Sequence, residues 1–297
     1  MRKKRAVLFV LIAGTLWGLL GVTVRVLSQF GLTSSQIVVG RFGAAAVVLC
    51  IYLAITDKRK LCIQKKDFKY FFAIGFFCIL FYNVCYTMTV QLTSLSIAVA
   101  LLYTSPVWAM LISIPVFHEK LTTRKCVSIV ICFLGCALMS GVFSSSGLQI
   151  VPLGILTGIL AGIGYGSYGI FAKVLIDKYH SLTITFYTFF LASLGGILIC
   201  KPREMMSIME KNPKVLFYLL IAAVVCFVVP YVLYNLALND IEASKAAVIV
   251  SIEPVMATIF GFLLYQEKIT IAVFMGMILV LTAITILNTG KIKGRHD

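Results

Sequence analysis

Apolar residues dominate this chain in long runs, and charged or turn-forming residues separate one run from the next. The runs are about 20 residues long, which is the length an α-helix needs to cross the hydrocarbon core of a membrane. Barrel strands would be half as long and would alternate in polarity. We therefore predict ten transmembrane helices, at about residues 6–27, 34–55, 68–90, 95–117, 124–142, 152–175, 181–200, 214–238, 242–265 and 270–289.

Composition supports an all-α integral membrane protein. The chain is 61% hydrophobic and only 12% charged, whereas a soluble globular chain is about a quarter charged. Ten spans use almost the whole length, so no room is left for a soluble catalytic domain. The net charge of +15 is carried largely by short loops beside apolar runs. That pattern indicates contact with a lipid bilayer and does not indicate nucleic-acid binding.

The distribution of Lys and Arg predicts the orientation. With the N-terminus inside, the inner segments carry 18 of these residues and the outer segments carry six, and two more lie within spans. We therefore expect a multi-pass protein of the cell membrane with both termini cytoplasmic. Segment 201–214 is the exception, because it places four positive residues on the outer side.

A shift of the sequence by 148 residues aligns the first half of the chain with the second. Ala13-Gly14 falls on Ala161-Gly162, and Pro106-Val107 falls on Pro254-Val255. The same shift matches Gly18, Gly21, Tyr86, Ser96, Glu119-Lys120 and Thr122 with Gly166, Gly169, Tyr234, Ser244, Glu267-Lys268 and Thr270. The sequence thus predicts two repeats, residues 1–148 and 149–297, which together form one structural unit.

The odd number of helices in each repeat fixes how the repeats are related. After five crossings the second repeat enters the membrane from the opposite side, so the two copies are inverted. Inverted repeats can open a shared midplane site first to one face and then to the other. This is the structural requirement for transport by alternating access.

Glu253 is the one acidic residue at the centre of a predicted span, directly before Pro254. A carboxylate at this depth is costly, so it must face a polar cavity or be protonated. We interpret it as a group that binds the amine or cation of a substrate, or carries a coupling proton. The structural alternative is a protonated acid that bonds a neighbouring helix.

Other polar or helix-breaking residues within spans are weaker candidates. Lys245 could meet a substrate carboxylate, although it is near the cytoplasmic end and could extend to the interface instead. For Arg41 we favour helix–helix bonding or the interface over ligand contact. Pro106 and Pro254 occupy equivalent positions, remove a hydrogen bond mid-span, and are predicted hinges or static kinks.

Aromatic and amide side chains gather in the first, third, sixth and eighth spans. Interfacial belts explain some membrane Tyr and Trp residues, but Trp17 and Tyr165 lie near mid-span. A cavity lined by rings and a few amides suits a small amphiphilic organic solute. The predicted substrate-binding residues are Trp17, Asn83, Tyr86, Tyr165, Tyr231, Tyr234, Lys245 and Glu253.

Several chemistries lack the residues that they need. The three histidines fall in loops, and the nine cysteines show no metal-ligand spacing, so we expect no metal site. A phosphate-binding glycine-rich loop is also absent, which argues against direct use of ATP. We predict no cofactor and no enzymatic activity.

Several short segments resemble motifs of a known family. They are Trp17-Gly18, Arg41-Phe42, Glu119-Lys120-Leu121-Thr122 after Pro106, and Glu253-Pro254-Val255 with Glu267-Lys268. This family is the ten-helix EamA-type branch of the drug/metabolite transporter superfamily, and the resemblance covers essentially the whole chain. It implies efflux or exchange of small metabolites or amphiphilic drugs. The acidic residue that small multidrug members carry in their first span has no counterpart here.

These observations predict a secondary transporter, and specifically an exporter of small amphiphilic metabolites such as amino acids. One alternative is a multidrug or organic-cation exporter with Glu253 as the cation site. An integral membrane enzyme acting on lipid is a rival of another class, and it would need clustered acid, base or metal ligands. A channel or receptor-like scaffold is a third, against which the inverted repeat argues.

Overall fold

The computed structural model describes residues 2–143 and 151–288, and this part of the chain consists of helices joined by short connections. The predicted repeat boundary at 148/149, the end of the last predicted span and the basic C-terminal tail lie outside the described residues. The α-helices are α1 Arg2–Trp17, α2 Leu20–Ser28, α3 Ser34–Thr56, α4 Phe68–Phe72, α5 Tyr82–Leu92, α6 Leu95–Leu102, α7 Ser105–Phe117, α8 Thr123–Met139, α9 Pro152–Ile176, α10 Ser181–Gly196, α11 Pro202–Lys211, α12 Lys214–Ala223, α13 Val229–Ala237, α14 Ala243–Ile249, α15 Ile252–Tyr265 and α16 Ile271–Asn288.

The helices form the ten predicted spans. Eight segments are long and apolar enough to cross a membrane: Arg2–Ser28, Ser34–Thr56, Lys65–Leu92, Leu95–Phe117, Pro152–Ile176, Lys214–Ala237, Ala243–Tyr265 and Ile271–Asn288. The fifth and seventh spans, α8 and α10, are shorter, with 17 and 16 residues. The described part of the chain is thus all-α, and its apolar helices are those of a multi-pass membrane protein.

Segment 201–214 contains a helix that the sequence analysis treated as part of a loop. The seventh span ends at Gly196, not near residue 200, and α11 then runs from Pro202 to Lys211. Met205, Ile208 and Met209 on α11 pack against a buried apolar cluster, whereas its charged residues are exposed. An amphipathic helix can lie along a membrane interface, which accounts for the positive charge of this segment.

The most extensive contacts between spans of the two halves have a counterpart, in which both spans are replaced by their equivalents in the other half. The first span packs against the eighth and the sixth against the third; the first also packs against the ninth and the sixth against the fourth. The second span packs against its own counterpart, the seventh, and the fifth against the tenth. The fold therefore consists of two inverted five-helix repeats.

Contacts along α3 show the inversion directly. Near the end of α3, Thr183 Oγ1 at the start of α10 donates to Lys60 O at 2.8 Å. Near the start of α3, a Cβ atom on Gly40 would lie 2.7 Å from Met205 Cε in α11. Segments 57–69 and 201–214 consequently lie at opposite ends of this helix. We call the end with residues 57–67, 118–122 and 177–180 the basic face, and the other end the opposite face.

Asp67 ties two loops together on the basic face. Its side chain is 2% exposed and accepts hydrogen bonds from Lys178 Nζ at 3.0 Å and Tyr179 Oη at 2.8 Å. The hydrogen bond that Lys178 donates to Asp67 raises the pKa of the Lys178 ammonium above its usual value. Because Asp67 and Lys178 belong to different halves, this contact joins the repeats at the basic face.

Several spans are irregular near their middle, and the irregularities are paired. The fourth span breaks between α6 and α7, and the ninth breaks between α14 and α15, at equivalent positions. The third and eighth spans contain π-helical stretches, Ala73–Phe81 and Val224–Val228. The second stretch falls within the first when shifted by 148 residues. Such stretches often occur at functional sites, and here they lead into the tyrosine-rich starts of α5 and α13.

Candidate functional site

Two adjoining cavities lie between the repeats. Both are small and are lined by Trp17, Tyr165 and Tyr231, and the larger of the two also contacts Arg41 and Glu253. The lining comes from the first, third, fourth, sixth, eighth and ninth spans, and the larger cavity adds the second.

Aromatic rings form most of the cavity wall. Trp17 packs edge-on against Tyr231 with 4.9 Å between ring centroids, and lies 5.7 Å from Tyr234. Tyr82 lies 5.4 Å from Tyr165, and Tyr231 also meets Tyr168 at 5.0 Å. Edge-to-face rings at these distances stabilise one another, so the wall offers a rigid, mostly apolar surface.

Glu253 is the carboxylate of the larger cavity. It is the second residue of α15, directly after the break in the ninth span, and Tyr165 Oη donates to its Oε2 at 2.8 Å. Because the helix restarts here, the side chain lies at the junction between two half-helices. Glu253 therefore lines a cavity between the repeats, and its role in binding a substrate or a proton stays a prediction.

Arg41 lines the same cavity as Glu253, a role that the sequence analysis ranked below helix–helix bonding. The residue is 6% exposed, and its Nη1 donates to Thr23 Oγ1 at 3.3 Å, so it also bonds a neighbouring helix. Its position a third of the way along α3 did not show whether Arg41 would line a cavity or bond a neighbouring helix. The useful signal was its depth in an apolar run, which is as costly for Arg as for Glu.

A buried polar group supports the floor of the smaller cavity. Tyr168 Oη donates to Asn235 Oδ1 at 3.0 Å, and Asn235 Nδ2 donates to Thr185 Oγ1 at 3.1 Å. These bonds satisfy side chains that are almost fully buried, and they fix the Tyr168 ring against Tyr231. The network thereby holds the aromatic wall in place.

The structure brings together six of the eight predicted substrate-binding residues. The residues that line a central cavity are Trp17, Asn83, Tyr165, Tyr231, Tyr234 and Glu253. Tyr86 lines neither cavity, although it interacts electrostatically with Glu253. Lys245 also lines neither, and lies toward the basic face with Glu242, Lys3 and Lys125 as charged neighbours.

Pro106 and Pro254 lie at the starts of half-helices and not within continuous ones. Pro106 is the second residue of α7, and Pro254 is the third residue of α15. Proline is favoured in the first turn of a helix because no intrahelical hydrogen bond is lost there. The interruption itself is at residues 103–104 and 250–251, so a hinge motion would centre on those residues.

The glycine rows of the first and sixth spans meet these interruptions. A Cβ atom on Gly166 would lie 2.5 Å from Ser105 O, and one on Gly18 would lie 2.8 Å from Met256 Cβ. Glycine therefore lets the first span approach the ninth, and the sixth approach the fourth, at the level of the cavities. Close packing of helices explains glycine at these positions.

In the described part of the chain, no group of three His, Cys, Asp or Glu residues is arranged to hold a metal ion. The carboxylate and guanidinium of the larger cavity are single groups on different helices. The two cavities thus present ring faces, one acid and one base.

Comparisons with known proteins agree with this architecture. The chain is 29% identical over 226 residues to "Uncharacterized transporter YxxF" of Bacillus subtilis (strain 168). The matched region covers 73% of this chain and 71% of the relative. It is 26% identical over 276 residues to an "Uncharacterized transporter" of Archaeoglobus fulgidus, covering 92% and 94%. A solved crystal structure superposes with a TM-score of 0.77 at 14% identity, over 95% of this chain and 96% of that one.

The family described as "EamA-like transporter family" matches twice, at residues 4–141 and 152–289. The two matches are displaced by 148 residues at both ends, which is the shift that aligns the halves of the sequence. Together they cover most of the chain. The protein therefore belongs to the EamA-like transporter family.

Proposed function

We propose that the protein is a secondary transporter that moves small amphiphilic metabolites, such as amino acids, through the central cavity by alternating access. The aromatic lining suits the apolar part of such a solute, and the acid, base and amide groups suit its polar part. Export is favoured by the resemblance to drug/metabolite transporters. The basic face is then cytoplasmic, because Lys and Arg gather there.

The observation that carries the proposal is a difference in packing between two pairs of half-helices. The two pairs occupy equivalent positions in the two repeats. On the basic face, α14 of the ninth span packs against α7 of the fourth. The equivalent pair on the opposite face is α6 and α15, and these two helices do not pack to a comparable extent. Such a difference is expected when the cavity is closed toward the basic face and open toward the other.

Glu119 fastens the closed side. Its Oε1 accepts a hydrogen bond from Ala243 N at 3.1 Å, and its Oε2 accepts from Lys125 Nζ at 3.1 Å and from Ser244 Oγ. Lys125 also pairs with Glu242 at 2.8 Å. These bonds tie the loop after α7 to the start of α14, and so hold the two half-helices together.

Glu267 is the counterpart of Glu119 on the opposite face and has a different partner. It pairs with Arg25 on α2, and its side chain is 46% exposed where that of Glu119 is 5% exposed. Ala243 and Ser244 at the start of α14 correspond under the repeat to Leu95 and Ser96 at the start of α6. In the second end state we expect Glu267 to bond Leu95 N and Ser96 Oγ while Glu119 is released.

Counterflow in liposomes containing the purified protein tests this function. A panel of labelled amino acids, amines and sugars would be offered to liposomes with and without the same unlabelled solute inside, and with and without a proton gradient. We expect saturable uptake of at least one amino acid, accelerated by internal unlabelled solute. Uptake that neither saturates nor accelerates would indicate a channel, and no uptake by folded protein would contradict transport.

An organic-cation exporter is the second candidate, because a carboxylate among ring faces is a favourable site for a cation. In that version Glu253 binds the cation directly. Replacement of Glu253 by Gln should then abolish export of organic cations and spare neutral solutes. Unchanged cation export by Glu253→Gln would eliminate this candidate.

A further inference from the structure

We infer that Arg41 is an anion-binding residue of the central cavity, so that the transported solute carries a carboxylate at its end nearest the second span. This inference rests on the proposed transport function and narrows the chemical class of the solute. It assigns opposite roles to the two charged residues that line the larger cavity.

Arg41 is buried without a counter-ion among the residues that the structure describes. Its side chain is only 6% exposed, and no carboxylate among the described residues lies within ion-pair distance of it. A buried charge without a partner is strongly unfavourable. A bound anion would supply the missing partner.

The Arg41 guanidinium also has N–H donors that the surrounding side chains do not use. Arg41 Nη1 donates to Thr23 Oγ1 at 3.3 Å, and the group lies 5.1 Å from the centroid of the Phe227 ring. Its Nε is buried and has no hydrogen-bond partner among the described residues. A guanidinium has five N–H donors in a planar fork that matches a carboxylate.

The position of Arg41 relative to Glu253 also favours a ligand with two polar ends. Both line the larger cavity, and Tyr82, another lining residue, interacts electrostatically with each of them. The two charges do not form an ion pair with one another, so both are available to a ligand. A solute with separate anionic and donor groups can therefore be held at both ends.

The two charges also make the site asymmetric. Under the repeat, Arg41 corresponds to Phe189 and Glu253 corresponds to Ser105, so neither charge has a symmetric copy. A carboxylate is attracted to the second span and an amine to the ninth. An organic cation without a carboxylate would leave the Arg41 charge unbalanced, which disfavours the cation-exporter alternative.

Three solutes of similar shape test the role of Arg41: L-phenylalanine, phenethylamine, which lacks the carboxylate, and 3-phenylpropionate, which lacks the amine. Trp17 and Trp108 are the two tryptophans of the chain, so Trp108→Phe leaves Trp17 as a fluorescent reporter in the cavity wall. We expect both carboxylates to quench Trp17 at concentrations roughly 10-fold or more below those needed for phenethylamine.

Substitutions at Arg41 complete the test. Arg41→Gln should weaken binding of the two carboxylates by roughly 10- to 100-fold and leave phenethylamine no weaker than before. Arg41→Lys should retain part of the affinity, because it keeps the charge and loses the fork. Arg203→Gln on α11, an exposed arginine, is the matched control and should change nothing. Thermal unfolding of each variant checks that it folds.

Two results would overturn the inference: phenethylamine binding as tightly as phenylalanine, or carboxylate binding that Arg41→Gln leaves unchanged in a folded protein. If Arg41→Gln does not fold, the affinities of the three solutes for the protein with Arg41 and for the Arg41→Lys variant still test the inference. Failure of the transport function is distinguishable, because solutes would then bind in an Arg41-dependent way without any counterflow.

Discussion

Trp17 and Tyr165 occupy equivalent positions in the two repeats, 148 residues apart, and both line the two central cavities. The pseudo-twofold axis that relates the repeats must therefore pass close to these cavities. A site on such an axis is equally reachable from both faces when the halves exchange conformations. The aromatic pair is symmetric, whereas the charges beside it are not.

The hydrogen bond from Tyr165 to Glu253 makes a prediction about binding. Tyr165→Phe keeps the ring and removes the donor, so we expect weaker solute affinity by roughly 10-fold, the range for a lost bond to a charged group. Quenching of Trp17 fluorescence measures the change. Tyr52→Phe is the control, since Tyr52 is 51% exposed on α3. Equal affinities for the two variants would contradict a role for the Tyr165 hydroxyl.

Glu119 and Glu267 offer a matched pair of substitutions at the two faces. Glu119→Gln weakens charge-assisted hydrogen bonds worth about 1.5–3 kcal/mol each, so it should favour the state open to the basic face. The readout is maleimide labelling of Ala247→Cys, a cavity-lining position, in a background without the native cysteines. Labelling from the basic face should rise in Glu119→Gln and should not rise in Glu267→Gln. A rise in both, or in neither, would contradict the assignment of Glu119 as the fastening residue.

The glycines of the first span predict a contrast in stability. A methyl group on Gly18 would lie 2.8 Å from Met256 Cβ and 2.9 Å from Ala257 N, whereas one on Gly21 meets nothing within 4 Å. We expect Gly18→Ala to cost about 1–3 kcal/mol through overpacking. Gly21→Ala should be neutral or slightly stabilising because alanine favours helix. Thermal unfolding in detergent compares the two, and equal midpoints would count against the close approach of the first and ninth spans.

Much of the fold could be predicted because membrane burial leaves few alternatives. The apolar runs had to be helices, since the backbone must satisfy its own hydrogen bonds in hydrocarbon. The displacement of 148 residues followed from matched glycine, proline and acidic positions. The helix α11 was not predicted, because its few apolar residues at helical spacing lie between charges and within a short segment.

The candidate site was predicted in part. Glu253, Trp17 and Tyr165 were identified because charge and large aromatic groups are unusual at mid-span. Lys245 was selected by the same reasoning, but depth along a helix does not determine which face a side chain takes, and this one lies toward the basic face. Arg41 bonds the first span, as the sequence analysis favoured, and it also lines the larger cavity, which its position along α3 did not reveal. The breaks before Pro106 and Pro254 depend on packing between helices, which the spacing of residues does not encode.

Distances between spin labels at the two faces test alternating access most directly. Asn239 and Leu121 on the basic face correspond under the repeat to Gln91 and Ile269 on the opposite face, and all four side chains are exposed. Without solute, we expect a short 239–121 distance and a longer 91–269 distance. Saturating transported solute should populate a second state in which 91–269 shortens and 239–121 lengthens. If both distances move in the same direction, or neither changes while solute is being transported, the two faces do not open in alternation.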